Sequence, residues 1–468
     1  MSKNLFEMTI SELAPKIKAR KISPVELTRS VLDRIDALDP ILNAYITVDS
    51  EGALKAARTA ERQIARGKYL GPLHGIPISL KDLYQTKGLR TTAGSKILHD
   101  WVPDADATAV SNLRAAGAII VGKTNLHEFA FGATTQNPHF GGTRNPYNTD
   151  RIPGGSSGGS AAALAADMCI ASTGSDTGGS IRTPSALCGT VGLKPTYGRV
   201  SLHGIVPLAW SLDHVGPMTK CVRDAALMLS AMAGHDQKDP ASARERVPGF
   251  ARMLKDDVKK LRIGIEPSFC FGGVDGEVAD SLKSALTLFE KLGARIVEVS
   301  LPNVELTSVI ESIIITTEPA AYHEDNLRNR PADFGDDVRA LLEAGAGFPA
   351  IHYLKAQRLR SIIQKEFAAA FRKIDIFALP GAAVTAPPIG ATTVSVGGMQ
   401  TDLGMALLRF PCPSNLTGLP AISIPCGLDS DGLPMGLQLV GKAFDEATIL
   451  RAAFVFEKNS EPLPKPRI

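Results

Sequence analysis

The sequence predicts an α/β fold in which helices cover both faces of a β-sheet. Over most of the chain, short apolar runs that are typical of strands alternate with longer amphipathic segments that are typical of helices. Glycine stands at the ends of many of these segments, where it favours turns. With 468 residues, 44% of them hydrophobic, the chain can bury a large core. It contains neither an internal repeat nor a low-complexity linker, and we therefore expect one domain over residues 1–468.

The first 70 residues are predicted to form helices that wrap around the rest of the domain. Segments 9–12 (TISE) and 23–26 (SPVE) both fit capping boxes, and the second also has proline at the first helical position. Apolar residues then recur at helical spacing through residue 38. Another helix is predicted over residues 51–66, where Gly67 ends it.

Strands and helices alternate from residue 71 onward. Residues 75–80 (GIPISL) alternate as a strand, with Lys81 and Asp82 at its end. Helices are also predicted over 107–116, 160–166 and 276–292, and strands over 118–121, 168–172, 261–265, 295–299, 374–379, 421–425 and 434–440. This alternation favours a sheet with helices on both faces.

Composition and charge exclude several classes of protein. The 51 basic and 48 acidic residues give a formal net charge of +3, and no basic cluster indicates binding of nucleic acid or of an anionic membrane. The N-terminus lacks the apolar stretch of a signal peptide, and no run of about 18 apolar residues predicts a membrane-spanning helix. The six cysteines show no CxxC spacing, which indicates reduced thiols. We therefore expect a cytoplasmic protein.

Two serines in glycine-rich loops and one lysine are the candidate catalytic residues. Ser156 lies in 154–160 (GGSSGGS), Ser180 lies in 174–182 (GSDTGGSIR), and Lys81 ends a predicted strand. Glycine lets the backbone approach a ligand and turn its N–H groups toward it, so a serine in such a loop can be a nucleophile beside an oxyanion hole. Each residue also has a purely structural interpretation: a tight turn at Ser180, a flexible loop or helix cap at Ser156, and a salt bridge from Lys81 to Asp82.

Taken together, these segments closely resemble the signature core of the amidase signature family. The resemblance covers residues 72–235, with weaker similarity over most of the chain. It rests on segments 75–82 (GIPISLKD), 154–160, 174–182, 188–196 (CGTVGLKPT) and 211–217 (SLDHVGP). The family implies a large, mixed, twisted sheet flanked by helices.

The resemblance also implies a Ser–Ser–Lys triad that hydrolyses a carboxylic amide of a small molecule through an acyl-enzyme. Ser180 would be the nucleophile, Ser156 the bridging serine, held in a cis peptide, and Lys81 the base. Backbone N–H groups near Ser180 would form the oxyanion hole, and three side chains would brace the loops. The implied oxyanion-hole residues are Thr177, Gly178 and Gly179, and the implied bracing residues are Ser157, Asp176 and Arg182. The family implies neither a metal nor an organic cofactor.

A lysine can serve as this base only when its pKa is strongly lowered. A free lysine has a pKa of about 10.4 and is almost fully protonated at pH 7. Enzymes make such bases by lowering the pKa to about 7–8 through burial. We therefore expect Lys81 to be buried.

Two other functional interpretations compete with this one. Ser156 and Ser157 each satisfy G-x-S-x-G, the nucleophile elbow of α/β-hydrolases, but that elbow needs a strand directly before it and a histidine partner downstream. Residues 148–153 make a poor strand, although several histidines follow. Residues 117–124 formally match the P-loop pattern, but their spacer residues (AIIV) form an apolar run that is unsuited to an open phosphate loop.

A third alternative is the glutamine-hydrolysing A subunit of a tRNA-dependent amidotransferase, a branch of the same family that works with partner subunits. Those subunits hold glutamine with an arginine and an aspartate. Alignment by motif places Leu341 and Leu408 at these positions, with Arg339 and Asp402 close by in sequence. Since a leucine cannot pair with the charged groups of an amino acid, we favour a stand-alone amidase acting on a less polar, aryl or acyl amide. The sequence leaves open whether the protein is a homodimer.

Overall fold

The fold is organised around one mixed sheet of 11 strands. A computed structural model describes residues 4–468. The described residues also form two separate sheets of two strands each. The strands of all three sheets are β1 (Tyr45–Val48), β2 (Pro77–Lys81), β3 (Ile119–Thr124), β4 (Gln136–Asn137), β5 (Gly141–Gly142), β6 (Ala171–Asp176), β7 (Val191–Lys194), β8 (His214–Thr219), β9 (Arg262–Ile265), β10 (Arg295–Glu298), β11 (Ile376–Pro380), β12 (Thr393–Val396), β13 (Met399–Asp402), β14 (Ala421–Leu428) and β15 (Pro434–Gly441). Strand β4 pairs with β5, and β12 pairs with β13.

Helices make up much of the remaining chain, above all between residues 300 and 370. They are α1 (Ile10–Lys18), α2 (Pro24–Leu42), α3 (Ser50–Ala65), α4 (Thr108–Ala115), α5 (Gly158–Ala165), α6 (Arg182–Leu187), α7 (Val222–Met232), α8 (Pro267–Phe271), α9 (Gly276–Lys291), α10 (Thr307–Tyr322), α11 (Glu324–Asn329), α12 (Asp336–Gly347), α13 (Ala350–Ala370), α14 (Leu403–Leu408), α15 (Cys412–Thr417) and α16 (Glu446–Asn459).

Strand order in the large sheet is β1-β3-β2-β6-β8-β7-β14-β15-β11-β9-β10. The pairs β3–β2, β2–β6, β11–β9 and β9–β10 are parallel, and the others are antiparallel. Every residue of β2, β3, β6, β7, β8, β11 and β15 is buried, which requires cover on both faces of the sheet. The predicted α/β class, with a large mixed sheet flanked by helices, is confirmed.

The first 70 residues are not entirely helical, in contrast to the prediction. Residues 45–48 (YITV) form β1, which pairs antiparallel with β3 at one edge of the sheet. A four-residue strand between two long helices carries too little periodicity to be recognised, although its β-branched residues suit an extended backbone. The capping boxes correctly predict a helix start at Thr9, whose side chain accepts from Glu12 N, and at Ser23, whose side chain accepts from Val25 N and Glu26 N.

Strand β6 extends further than its sequence predicts, and this extension places the candidate site. Small polar residues from 174 onward are typical of a loop, so the predicted strand ends at residue 172. The strand continues to Asp176 because each of its residues from Ala171 pairs with β8, as far as His214 opposite Asp176. Strands β7 and β8 and helices α7, α10, α12, α13 and α16 are absent from the prediction.

Residues 117–124 do not form a phosphate-binding loop. Residues 119–124 form the buried strand β3. The Lys123 ammonium lies 3.2 Å from Asp82 and donates to Tyr84 O and Thr91 Oγ1, so it is fully engaged. The resemblance to a P-loop is therefore accidental.

Among residues 4–468, no helix has both the length and the apolar character needed to cross a membrane.

Candidate active site

Lys81 is the last residue of β2, and its amine is completely buried. Lys81 Nζ donates to Ser156 Oγ at 2.7 Å and to Ser175 Oγ at 2.8 Å. The predicted structural alternative, a salt bridge to Asp82, is wrong, because Asp82 turns to Lys123 on the neighbouring strand. Within residues 4–468, Lys81 forms no salt bridge with any carboxylate. The amine therefore lies among hydroxyl groups.

Burial sets the protonation of this amine. Removal from water lowers the pKa of Lys81 well below its usual value, and the more distant carboxylates of Asp176 and Asp213 offset this only in part. The lowered pKa favours the uncharged form of the amine, which is the form that can act as a base. The burial that the proposed chemistry requires is present.

Ser156 lies in a tightly packed turn directly before α5. The Gly155–Ser156 peptide bond is cis, as the family resemblance implied. A Cβ on Gly155 would lie 2.8 Å from the backbone nitrogen of Thr134, so only glycine fits there. The residue at the N-cap of α5 is Ser157, and its hydroxyl donates to Ser175 O at 3.2 Å instead of capping the helix. Ser156 is thus free of a capping role and faces Lys81.

Ser180 lies between β6 and α6 and opens on a cavity of about 270 Å³. Its side chain is buried apart from this opening, with 6% of the residue exposed. Ser180 O accepts a hydrogen bond from Ser157 N at 3.2 Å, which joins the two serine loops. Among the described residues, the Ser180 hydroxyl has no hydrogen-bond partner, and it is therefore available to a molecule in the cavity.

The backbone before Ser180 exposes N–H groups of the kind that stabilise an oxyanion. The N–H groups of Thr177, Gly178 and Ser180 have no acceptor among residues 4–468. The N–H of Gly179, by contrast, donates to Asp176 Oδ1 at 2.9 Å. Gly179 would have to give up that hydrogen bond to serve as an oxyanion donor, so its predicted role does not fit this geometry. Its φ of +131° instead explains why glycine is needed at this turn.

Asp176 and Arg182 form a buried ion pair that holds the nucleophile loop. Arg182 Nη2 lies 2.7 Å from Asp176 Oδ1, and both side chains are fully buried. Arg182 Nη1 also donates to Pro411 O and Ser414 Oγ, and Asn415 Nδ2 donates to Asp176. Burial alone would raise the pKa of Asp176, but the adjacent Arg182 holds it well below its usual range. The pair ties the loop to the C-terminal part of the chain.

Three further residues belong to the site although no sequence motif assigns them a role. Ser175 contacts Lys81, Asn415 binds Asp176, and Asp213 accepts from Thr177 Oγ1 at 2.6 Å. Asp213 also accepts from the N–H groups of Leu208 and Ala209. Strand alternation could have identified Ser175, because residues two apart in a strand point to the same face. Thr173 lies two residues before Ser175, and its Oγ1 accepts from the backbone N–H of Lys81 at 3.2 Å. Asp213 lies in the resembling segment 211–217, but its contact with Thr177 and that of Asn415 with Asp176 join residues too distant in sequence for a local signal.

The cavity beside Ser180 has mainly apolar walls, to which both halves of the chain contribute. Leu341 and Leu408 both line it, as does Asp402. Asp402 Oδ1, however, accepts from Met405 N at 3.0 Å as the N-cap of α14. Arg339 lies outside the cavity lining and instead pairs with Asp336 and Glu343. Of the two charged residues left open by the alignment, only Asp402 reaches the cavity.

Histidine catalysis of the α/β-hydrolase type is not supported. No strand leads directly into Ser156, because β5 ends at Gly142. His214, which pairs with Asp176 across strands β8 and β6, directs its Nδ1 to Leu212 O and Asp176 O. Within the described part of the chain, no histidine side chain hydrogen-bonds a serine of either loop.

Comparison with known proteins shows the family to which the chain belongs. The family model described as Amidase matches residues 26–450. The A subunit of the glutamyl-tRNA(Gln) amidotransferase of Geobacter metallireducens is 46% identical over 479 residues, which cover 97% of each chain. A solved bacterial aryl acylamidase of the amidase signature family is 30% identical, with a TM-score of 0.89 and 96% of each chain covered. A chain from a vestigial protein complex related to the origins of an s-triazine catabolic enzyme is 36% identical, with a TM-score of 0.93, and covers 98% of this chain and 100% of that one. The resemblance inferred from the motifs is confirmed.

We expect Arg182→Met to destabilise the fold by about 3–5 kcal/mol, because it leaves the Asp176 carboxylate buried without its partner. Urea unfolding followed by circular dichroism would measure the change. The matched control is Arg339→Met, which removes a pair to the exposed Asp336 and should cost less than about 1 kcal/mol. Equal stability of the two variants would show that the buried pair does not hold the loop.

Proposed function

Since the chain belongs to the amidase family and is an amide-hydrolysing enzyme, we propose that Lys81, Ser156 and Ser180 are its catalytic residues. The observation that carries the proposal is the buried contact of 2.7 Å between Lys81 Nζ and Ser156 Oγ. An uncharged amine has one lone pair and can accept the Ser156 proton across this contact. Ser156 would then accept the proton of Ser180 once the substrate is bound. The hydrogen bond from Ser157 N to Ser180 O, which holds the two loops together, supports this step.

In the proposed reaction, Ser180 Oγ attacks the amide carbonyl as its proton passes to Ser156 and the Ser156 proton passes to Lys81. The carbonyl oxygen becomes an oxyanion, which the N–H groups of Thr177, Gly178 and Ser180 can bind. The carbon–nitrogen bond then breaks, and the leaving nitrogen takes the proton that returns through Ser156. This step releases ammonia or an amine and leaves an ester on Ser180.

Water completes the cycle by the same relay. A water molecule attacks the ester as its proton passes through Ser156 to Lys81, and Ser180 recovers a proton when the carboxylic acid leaves. Asp176, Ser157 and Arg182 act as positioning residues, because they hold the loops and do not face the cavity. The residues of the chain suffice for this chemistry without a metal or organic cofactor.

We further propose a stand-alone amidase whose substrate is a small amide that is less polar than glutamine. The apolar side chains of Leu341 and Leu408 in the cavity wall support this, since neither can pair with an ammonium or a carboxylate group. The similarity to a bacterial aryl acylamidase is consistent with it.

The second candidate is a glutamine-hydrolysing subunit that works with partner subunits in tRNA-dependent amidation. Its support is the 46% identity to the A subunit of an amidotransferase over nearly the whole chain. Asp402 in the cavity lining also favours it, because a carboxylate there could pair with a substrate ammonium group once released from Met405.

We expect Ser180→Ala to abolish turnover, since it removes the nucleophile. Ser156→Ala and Lys81→Ala should each lower kcat by about 10²–10⁴, because each interrupts proton transfer. Release of ammonia or amine by each purified variant would measure the effect, with Lys96→Ala, which changes an exposed lysine, as the control for charge. A fully active Lys81→Ala protein would contradict the proposed base.

The kcat/KM of the parent protein should rise with pH as Lys81 loses its proton. The ammonium form cannot accept the Ser156 proton, so activity is lost as pH falls through the lowered pKa of Lys81. The rise should be complete well below pH of about 10.4, where an ordinary lysine deprotonates. A pH–rate profile measures this, and a rise that continues to that pH would contradict a buried base.

A panel of amides separates the two candidate substrates. We expect kcat/KM for an apolar primary amide or an anilide to exceed that for glutamine by roughly tenfold or more, because the leucines leave the charged groups of glutamine unpaired. Ser180→Ala serves as the blank. Preference for glutamine, by the chain alone or with partner subunits of an amidotransferase, would favour the second candidate.

A further inference from the structure

The cavity wall contains one buried carboxyl group that the proposed triad does not use. Glu311 on α10 lines the cavity with Ser180, and only 2% of the residue is exposed. A Cβ placed on Gly178 would lie 3.2 Å from each of its two carboxyl oxygens. Glu311 therefore contacts the loop whose N–H groups are proposed to bind the oxyanion, and it lies beside the reaction centre.

The hydrogen bonding of Glu311 is incomplete. Its Oε2 accepts from the thiol of Cys412, a weak donor. Its Oε1 is buried and has no partner among residues 4–468. A buried polar atom without a hydrogen-bond partner destabilises the folded protein. Because Glu311 Oε1 lies in the wall of the cavity, a bound ligand can supply the missing partner.

No cation in the described part of the chain compensates a negative charge at this position. Of the charged groups whose fields reach Glu311, Arg182 is paired with Asp176, and Arg360 on α13 donates to Leu416 O and Ser211 O. Neither forms a salt bridge with Glu311. An ionised carboxylate would thus be a buried, unpaired charge, whereas the uncharged acid is tolerated in an apolar wall.

We propose that Glu311 is the specificity-determining residue of the cavity, and that its uncharged carboxyl donates a hydrogen bond from Oε1 to a neutral oxygen acceptor on the substrate. This inference rests on the proposed function and adds the substrate class: an uncharged amide that carries a second oxygen, such as a ketone or carbonyl, beyond the scissile group. The acid form provides an O–H donor that the carboxylate form lacks.

The electrostatics agree with the geometry. Burial raises the pKa of Glu311 to about 8, while Cys412, Arg182 and Arg360 lower it and Asp176 raises it by smaller amounts. The donor is therefore present at neutral pH and is lost as pH rises through this value. At high pH the carboxylate would face the substrate oxygen and repel it.

A matched pair of amides tests the proposal. Pentanamide and 4-oxopentanamide have the same chain length and differ only by a ketone in place of one methylene group. The parent protein at pH 7 should favour the ketone by roughly tenfold in kcat/KM, the effect of one hydrogen bond to an otherwise unsatisfied buried group. Calorimetric binding of both amides to Ser180→Ala should show the same ratio in Kd, whether or not either amide is turned over.

Variants at position 311 identify the donor. Glu311→Leu should bring the ratio to about one, whereas Glu311→Gln keeps an N–H donor and should retain the preference. As pH rises through about 8, the ratio should fall in the parent protein and remain constant in Glu311→Gln. Glu324→Gln, which changes an exposed glutamate on α11, should behave as the parent protein does.

Three results would overturn the proposal: no preference for the ketone in the parent protein, loss of the preference in Glu311→Gln, or an equal loss for both amides in Glu311→Leu. The last would assign Glu311 to the shared chemistry and not to selectivity. Turnover by Ser180→Ala would instead refute the proposed nucleophile, and the binding ratio would still test Glu311 separately.

Discussion

A buried amine surrounded by hydroxyl groups is the constraint on which the site depends. Strands β2 and β3 are parallel neighbours, and each contains a fully buried lysine near its end. Lys123 has a carboxylate, Asp82, as its partner, while Lys81 has only Ser156 and Ser175. Because the single adjacent carboxylate is turned to Lys123, nothing close to Lys81 in the described residues compensates the cost of burying its charge. The fold thereby favours an uncharged amine at the position proposed for the base.

The serine loops remain close to this amine because long-range contacts hold them. Ser157 joins the two loops through Ser180 O, and the Asp176–Arg182 pair fastens the nucleophile loop to residues 411–415. These contacts are buried and well hydrogen-bonded, which is what positioning of a nucleophile requires. Asp176 of this pair also accepts from the N–H of Gly179. The contact that holds the loop therefore leaves three N–H groups, and not four, to bind an oxyanion.

The residues proposed for catalysis and those proposed for selectivity lie in different parts of the chain. The three proposed catalytic residues lie between residues 81 and 180, in the segment with the strongest family resemblance. Half of the residues that line the cavity come from α10, α12 and α14, which contain Glu311, Leu341 and Leu408. This separation explains how related proteins with similar folds can act on different amides.

Sequence patterns predict the α/β class and most strands of the sheet, and the family resemblance adds the residues proposed for catalysis. Hydrophobic periodicity and glycine-rich turns are local properties, so they can be recognised without knowledge of the tertiary contacts. Three-dimensional packing is needed to establish that Lys81 contacts Ser175 and not Asp82, that the Gly179 N–H is occupied, and that Arg339 stays outside the cavity. The same packing brings in Asp213, Asn415 and Glu311, whose roles arise from contacts across many tens of residues. Such contacts depend on strand order and helix packing, which no short stretch of sequence encodes.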